Sequence, residues 1–355
     1  MKKMQEDLLP IAIETVLTMS AQFGQRKIAV QIFSIKSRWI VVLSIFIAIW
    51  LGGCDSQTRG SDRAEDENKP QVVSTSTIIA DLTTQVSGDE IEHTSILQPG
   101  TDPHVYEPTP KDSVALEQAD LILYNGYNLE PGLIRLINAA GIGGEKFAVG
   151  EVVTPLDFEY RGQKQPDPHV WGDAKNAIAM VEAIRDRLIE LSPEDEAEFT
   201  ANATQLIKEL RRLDTWIVQQ IQTIPETQQQ LVTTHDAFQY YANAYGLEVT
   251  GTLIGISTEE QPSAQTVKNL ANAIRKANVP AIFAETTINP QLIQTVAAEA
   301  GVKLAPRELY SDSIGAPGSE GDSYINMMVA NTRTIVEALG GQDRDFEFSN
   351  SDNNN

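Results

Sequence analysis

Three of the four histidines in this 355-residue chain stand in similar turns. His104 lies in Asp102-Pro103-His104-Val105-Tyr106, His169 in Asp167-Pro168-His169-Val170-Trp171, and His235 in Thr233-Thr234-His235-Asp236-Ala237-Phe238. The first two share the string Asp-Pro-His-Val. Gaps of 65 and 66 residues are too long for one local motif and suit a site assembled from several loops. Gathered neutral imidazoles are what borderline divalent metals such as Zn, Mn, Fe, Co and Ni bind. A proline before His104 and before His169 removes a backbone donor and stiffens the loop, so the ring is held at a lower entropic cost. Any one of these histidines alone would read as a surface or capping residue. His93, inside an early apolar run without such a context, reads as structural.

A fourth, anionic donor would offset part of a cation's charge. Asp312, in Glu308-Leu309-Tyr310-Ser311-Asp312-Ser313, follows a short apolar run and is the first candidate. Glu285, which ends Phe283-Ala284-Glu285, is the runner-up; a supporting or helix-capping carboxylate fits it equally well. Asp236, next to His235, should point away or orient a neighbour.

These residues need a scaffold that brings distant loops together. Short apolar runs alternate with segments of helical period along the chain. Residues 72–79 read as a strand leading into a helix that ends at about 86; further strands are expected at 91–97, 121–124 and 146–150, with helices over 110–118 and 129–140. A helix over 173–191 is followed by Ser192-Pro193, a cap and a first-turn proline. The next helix should run to about Ile221, with Phe199, Leu206, Leu210, Leu213, Ile217 and Ile221 on one face; at ~1.5 Å per residue it is about 40 Å long. Strands at 230–233, 247–253, 279–284 and 302–305 then alternate with helices at 238–244, 264–277, 291–300 and 323–339. The fold class is α/β: two Rossmann-like lobes with parallel sheets, joined by one long rigid helix. The expected divisions are 71–192 for the first lobe, 193–224 for the linker helix and 225–340 for the second lobe. In such sheets ligands bind at the carboxyl ends of strands, and His235 directly follows one.

The chain's ends bear on compartment. Lys36 and Arg38 precede an apolar run from Trp39 to Trp50 and then Leu51-Gly52-Gly53-Cys54. That is the layout of a secretory signal, and its apolar run of about a dozen residues falls short of the roughly 20 a membrane-spanning helix needs. Residues 1–54 are therefore read as a signal peptide, with Met19 a better start than Met1. Cys54 is the only cysteine, so no internal disulfide can form, and its position suits an acyl acceptor. Residues 55–70 are polar and charged, a flexible tether; residues 341–355 are expected to be a disordered tail. A formal net charge of −22 disfavours nucleic acid as a partner. A monomer is expected.

The chain resembles the metal-binding lipoproteins of bacterial ABC importers, the cluster A-I (family 9) solute-binding proteins of the TroA and MntC types. The matching pieces are the lipobox-like Leu51-Gly52-Gly53-Cys54 and then, in order within residues 71–340, Gly100-Thr101-Asp102-Pro103-His104, Asp167-Pro168-His169-Val170-Trp171, Thr234-His235-Asp236-Ala237-Phe238, Gly255-Ile256-Ser257-Thr258 and Glu308-Leu309-Tyr310-Ser311-Asp312. The resemblance implies ligation by His104, His169, His235 and Asp312, two from each lobe, with the metal between the lobes. It implies an extracytoplasmic protein, in the periplasm or on the outer face of the plasma membrane. Its anchor would be a lipid on Cys54, and its partners an ABC permease and its ATPase.

Manganese is favoured slightly over zinc, with Fe²⁺ also compatible. Some manganese-specific members carry glutamate where this chain has His235, and three imidazoles suit zinc. Yet Leu156 to Pro166 lacks the His-rich acidic loop of many zinc-importer proteins, and a bidentate Asp312 would suit manganese. Two other classes remain to be weighed. A secreted zinc hydrolase needs an open coordination position and a general base, and no His-Glu-x-x-His or Gly-x-Ser-x-Gly string is present. A metal-stabilised surface adhesin would lose its fold, not just its closure, when the metal is removed.

Overall fold

The computed structural model describes residues 69–348 apart from 140, 161 and 162. The signal, Met19, Cys54 and all but the last two tether residues lie outside the described residues. No helix among the described residues is long and apolar enough to cross a membrane.

The first lobe is built from β1 (Gln71–Ser74), α1 (Thr77–Ser87), β2 (Glu92–Ser95), α2 (Pro110–Gln118), β3 (Leu121–Tyr124), α3 (Pro131–Ile137) and β4 (Glu145–Ala148). The strands form one parallel sheet in the order β2-β1-β3-β4. Val72, Val73, Leu121, Ile122 and Leu123 are buried, the continuous apolar reading expected of strands covered on both faces. Caps set where the helices begin and end: Ser76 accepts from the Ile79 N–H at 3.2 Å to open α1, and Gly88, at φ 55°, closes it. At α2, the Asp112 carboxylate takes the Thr109 N–H at 2.7 Å and Pro110 occupies the first turn.

An antiparallel hairpin follows, β5 (Asp157–Tyr160) with β6 (Gln163–Pro166), which the sequence pattern does not reveal. Its eight strand residues include few apolar ones, and Phe158 alone cannot set a period of two. Next come α4 (Ala174–Leu191) and, after a single 3₁₀ turn at Pro193–Asp195, α5 (Glu196–Ile221). This helix has 26 residues, about 39 Å at ~1.5 Å per residue. All six apolar positions read from its period are buried, against α1 and α4 on one side and the last helix of the chain on the other.

The second lobe contains β7 (Gln230–Thr233), α6 (Gln239–Tyr245), β8 (Glu248–Thr252), α7 (Ala264–Ala277), β9 (Ala281–Ile282), α8 (Gln291–Ala300), β10 (Lys303–Leu304) and α9 (Tyr324–Ala338). Here the regular strands are shorter than expected: β9 and β10 keep two residues each. Pairing is parallel, β7 with β8 and β9 with β10, and the Phe283 N–H donates to the Val232 carbonyl at 2.9 Å to join the two pairs. Val232, Ile254, Leu270, Ile274, Ile282 and Val296 form this lobe's own core. A larger core runs from Ile79 and Leu82 through Phe199, Leu210 and Ile217 to Phe238, Tyr241 and Tyr324, so the long helix lies within a common apolar layer.

The tail departs from expectation. Residues 341–348 lie along α5 and α9: the Trp216 indole N–H donates to the Arg344 carbonyl at 3.0 Å, and the Arg344 N–H to Gln220 at 2.9 Å. Phe346 meets the Trp216 ring edge-on at 5.5 Å, and Arg333 pairs with Asp345 at 2.6 Å. A polar average hides one aromatic side chain that can anchor the segment.

Candidate metal centre

All four residues singled out from the sequence meet at one point. One donor atom from each of His104, His169, His235 and Asp312 lies within 4.8 Å of the others. The Asp312 oxygens are 3.4 Å from His169 Nε2, 3.1 Å from His235 Nε2 and 3.8 Å from His104 Nε2. The Nε2 atoms of His104 and His169 face each other at 3.2 Å. All four residues are buried, His104 least completely at 3 % exposure.

Three of the side chains arrive from loops that follow strands of the parallel sheets, and the fourth from the turn after the hairpin. His235 leaves β7 two residues after Thr233, and Asp312 follows the Glu285–Leu309 bridge beyond β10. His104 comes from the long loop after β2, and His169 from the turn between β6 and α4. The shared Asp-Pro-His string does the same local work twice. Asp102 accepts the His104 N–H at 2.9 Å, and Asp167 accepts the His169 N–H at 3.0 Å. Each loop is thereby folded back on its histidine.

Beyond that clamp the partners differ. Asp167 also takes the His169 Nδ1 at 2.7 Å. Glu285 does both jobs for His235, accepting its backbone N–H at 2.8 Å and holding its Nδ1 in a short hydrogen bond. A carboxylate here only accepts, so Nδ1 carries the proton and Nε2 is the atom left to bind a cation. Glu285 is thus placed behind His235, outside the four-donor cluster. Asp236 is turned to Gln239, from whose amide it accepts at 2.7 Å.

Electrostatics separates the three rings. Burial pushes His104 down to about 3. Burial would lower His169 too, but the Asp167 and Asp312 carboxylates together outweigh it and hold the ring up at about 9. His235 is likewise held well above the ordinary imidazole value, because Glu285 and Asp312 overcome its burial. Asp312, despite burial that would raise it, stays well below the usual carboxylate range beside His235.

A cation fits the atoms left over. Both Asp312 oxygens and His235 Nε2 are buried without a hydrogen-bond partner, an expensive arrangement unless something charged sits among them. Trp171 adds a strut: its indole N–H donates to the Ser311 carbonyl at 3.0 Å, and its ring lies 5.4 Å from that of His169. Asp102, Asp167 and Trp171 carry supporting roles that sequence reasoning missed. The signal available was the aspartate two positions before each of the two histidines.

Comparison with known proteins places the whole folded part of the chain in a family. The family model described as "Zinc-uptake complex component A periplasmic" (ZnuA) matches residues 72–338. The chain belongs to this family. Among its ZnuA-family relatives, the manganese-binding lipoprotein MntA of Halalkalibacterium halodurans is 33 % identical over 294 residues, covering 82 % of this chain and 95 % of the relative. The manganese ABC transporter substrate-binding lipoprotein PsaA of Streptococcus pneumoniae is 33 % identical over 305 residues, with 84 % and 97 % covered. The periplasmic zinc-binding protein TroA of Treponema pallidum superposes with a TM-score of 0.73 at 34 % identity, over 77 % of this chain and 99 % of that one. The two-lobe α/β architecture is common to both.

Proposed function

We propose that this chain is the extracytoplasmic solute-binding protein of an ABC importer, which captures one divalent transition metal and hands it to a membrane permease driven by its ATPase. His104, His169, His235 and Asp312 are the ligands. The observation that carries this reading is the set of buried, unpartnered Asp312 oxygens and His235 Nε2 beside two further imidazole nitrogens. Four inward donors from one chain close a coordination sphere, which favours holding a cargo ion over catalysis at an open position.

Manganese or zinc is the cargo, with manganese preferred; Fe²⁺ suits the same donors. Two relatives are named for manganese and one for zinc. Both Asp312 oxygens face the imidazoles, so a bidentate carboxylate would give five donors, which suits manganese. Zinc should still bind more tightly in vitro, since that is the order for any such donor set. The protein acts as a monomer held to the membrane by a lipid on Cys54, with residues 55–70 as its tether.

The test is equilibrium binding of Mn²⁺ and Zn²⁺ to the mature chain, its His235→Ala and its Asp312→Ala variants. One ion per chain is expected, with affinity lost in both variants while the thermal transition of the metal-free protein persists. Wild-type affinity in both variants would sink the assignment.

A further inference from the structure

The four ligand residues are almost sealed from water, so an ion must pass a moving part to reach them. Of the four, His104 is the one that lines a cleft of about 730 Å³ between the lobes. One wall comes from the first lobe and carries Tyr127 and Phe158; the other is the second-lobe loop at Ile256, Ser257, Glu259 and Glu260. The walls differ in how firmly they are held. Tyr127 sits at φ 48°, a left-handed conformation that costs an aromatic residue energy, beside Asn128 at φ 59°, where asparagine is tolerated. Tyr127 is anchored there, donating its hydroxyl to the Val153 carbonyl at 2.8 Å and its N–H to Glu151 at 3.1 Å.

The facing loop, residues 253–263, belongs to no helix or strand. Among the described residues, one hydrogen bond joins it to the first lobe: the Thr258 hydroxyl donates to Asp102 at 2.6 Å. Asp102 is the residue whose other oxygen clamps the His104 N–H. The bond across the cleft and the clamp on the most accessible ligand therefore share one carboxylate.

We propose that metal enters and leaves past His104 through this cleft, and that Thr258 is a positioning residue whose bond to Asp102 latches the 253–263 loop over the passage. The inference rests on the metal-binding reading above and adds the route and its latch. When the bond opens, the loop swings from the cleft and the His104 edge meets water; when it closes, the ligand is pinned and the passage shut. Because the latch acts on passage in both directions, it governs rates more than equilibrium.

The test loads the mature chain with Mn²⁺ or Zn²⁺ and follows release into excess chromogenic chelator by rapid mixing, with uptake and equilibrium affinity measured separately. Thr258→Val should speed release and uptake about tenfold, the worth of one hydrogen bond to a charged acceptor, with affinity changed less than threefold. Thr258→Ser should restore the wild-type rates. Ser257→Trp, which narrows the cleft, should slow both. Wild-type rates in Thr258→Val would overturn the latch, and wild-type rates in Ser257→Trp would overturn the route. A wild-type chain that binds neither ion would instead bring down the metal reading itself.

Discussion

The loops of His104 and His169 start from the same four residues and end in different electrostatic states. Both fold back through an aspartate that takes the histidine's own N–H. In the second loop that aspartate also grips the ring, and the imidazole is held up at about 9. In the first it reaches across the cleft to Thr258, and burial drives the ring down to about 3. Local sequence thus sets the main-chain clamp in both loops and the ring grip in the second, where one Asp167 oxygen takes both the N–H and Nδ1, while the second Asp102 oxygen is assigned by what the rest of the fold brings near. One imidazole is gripped by its neighbour and must shed a proton before it can bind a cation, and the other is held in its neutral form beside the opening.

The largest effect should come from removing a ring. If roughly 10–16 kcal/mol of metal binding is shared among four donors, each is worth ~3–4 kcal/mol, so His169→Ala and His104→Ala should each lose about a hundred- to thousandfold in affinity. Isothermal calorimetry checks this, and a loss under tenfold at either position would break the four-ligand picture.

The supporting aspartates should then separate the loops. Asp167→Asn should cost about 10–100-fold in affinity, as expected for a carboxylate behind a ligating histidine, and should drop the His169 titration toward ordinary values. Asp102→Asn should leave the His104 ring's titration where it is. NMR titration of the metal-free rings reads both; equal shifts at the two sites would erase the distinction.

Proton release sharpens it further. A group held at about 9 in the metal-free protein must give up its proton to ligate, so affinity rises with pH up to that value and falls below it. A ring held at about 3 is already neutral and contributes no such dependence at pH 7. Metal binding at pH 7 should therefore release protons, seen as a binding heat that varies with the buffer's ionisation heat. No release would contradict the raised His169.

The smallest effect is optical. Trp171 stands edge-on to the His169 ring, so metal should alter its emission by a modest amount, and Trp171→Phe should remove that change while keeping binding.

Much of this was legible residue by residue. The period of α5 marks six of its buried apolar positions, and α2, α7 and α8 begin and end where their caps and periods place them. The hairpin of β5 and β6 was not, because its strands are nearly all polar and carry no alternating apolar pattern. Nor was the packing of residues 341–348, where Phe346 on Trp216 outweighs a polar composition. His235 and Asp312 were readable because they follow strands of parallel sheets, and His104 and His169 because they share one Asp-Pro-His string.

The sequence by itself determined which donors are available, the clamp inside each Asp-Pro-His turn and the α/β scaffold, because these depend on residue type and short-range geometry. Only the tertiary structure decided that Glu285 stands behind His235 and that Asp102 answers to Thr258. It also decided which imidazoles are held above their ordinary range and which below it. Burial and the charges around a group depend on partners far apart in the chain, 50 residues for Glu285 and 156 for Thr258, and no local pattern encodes them.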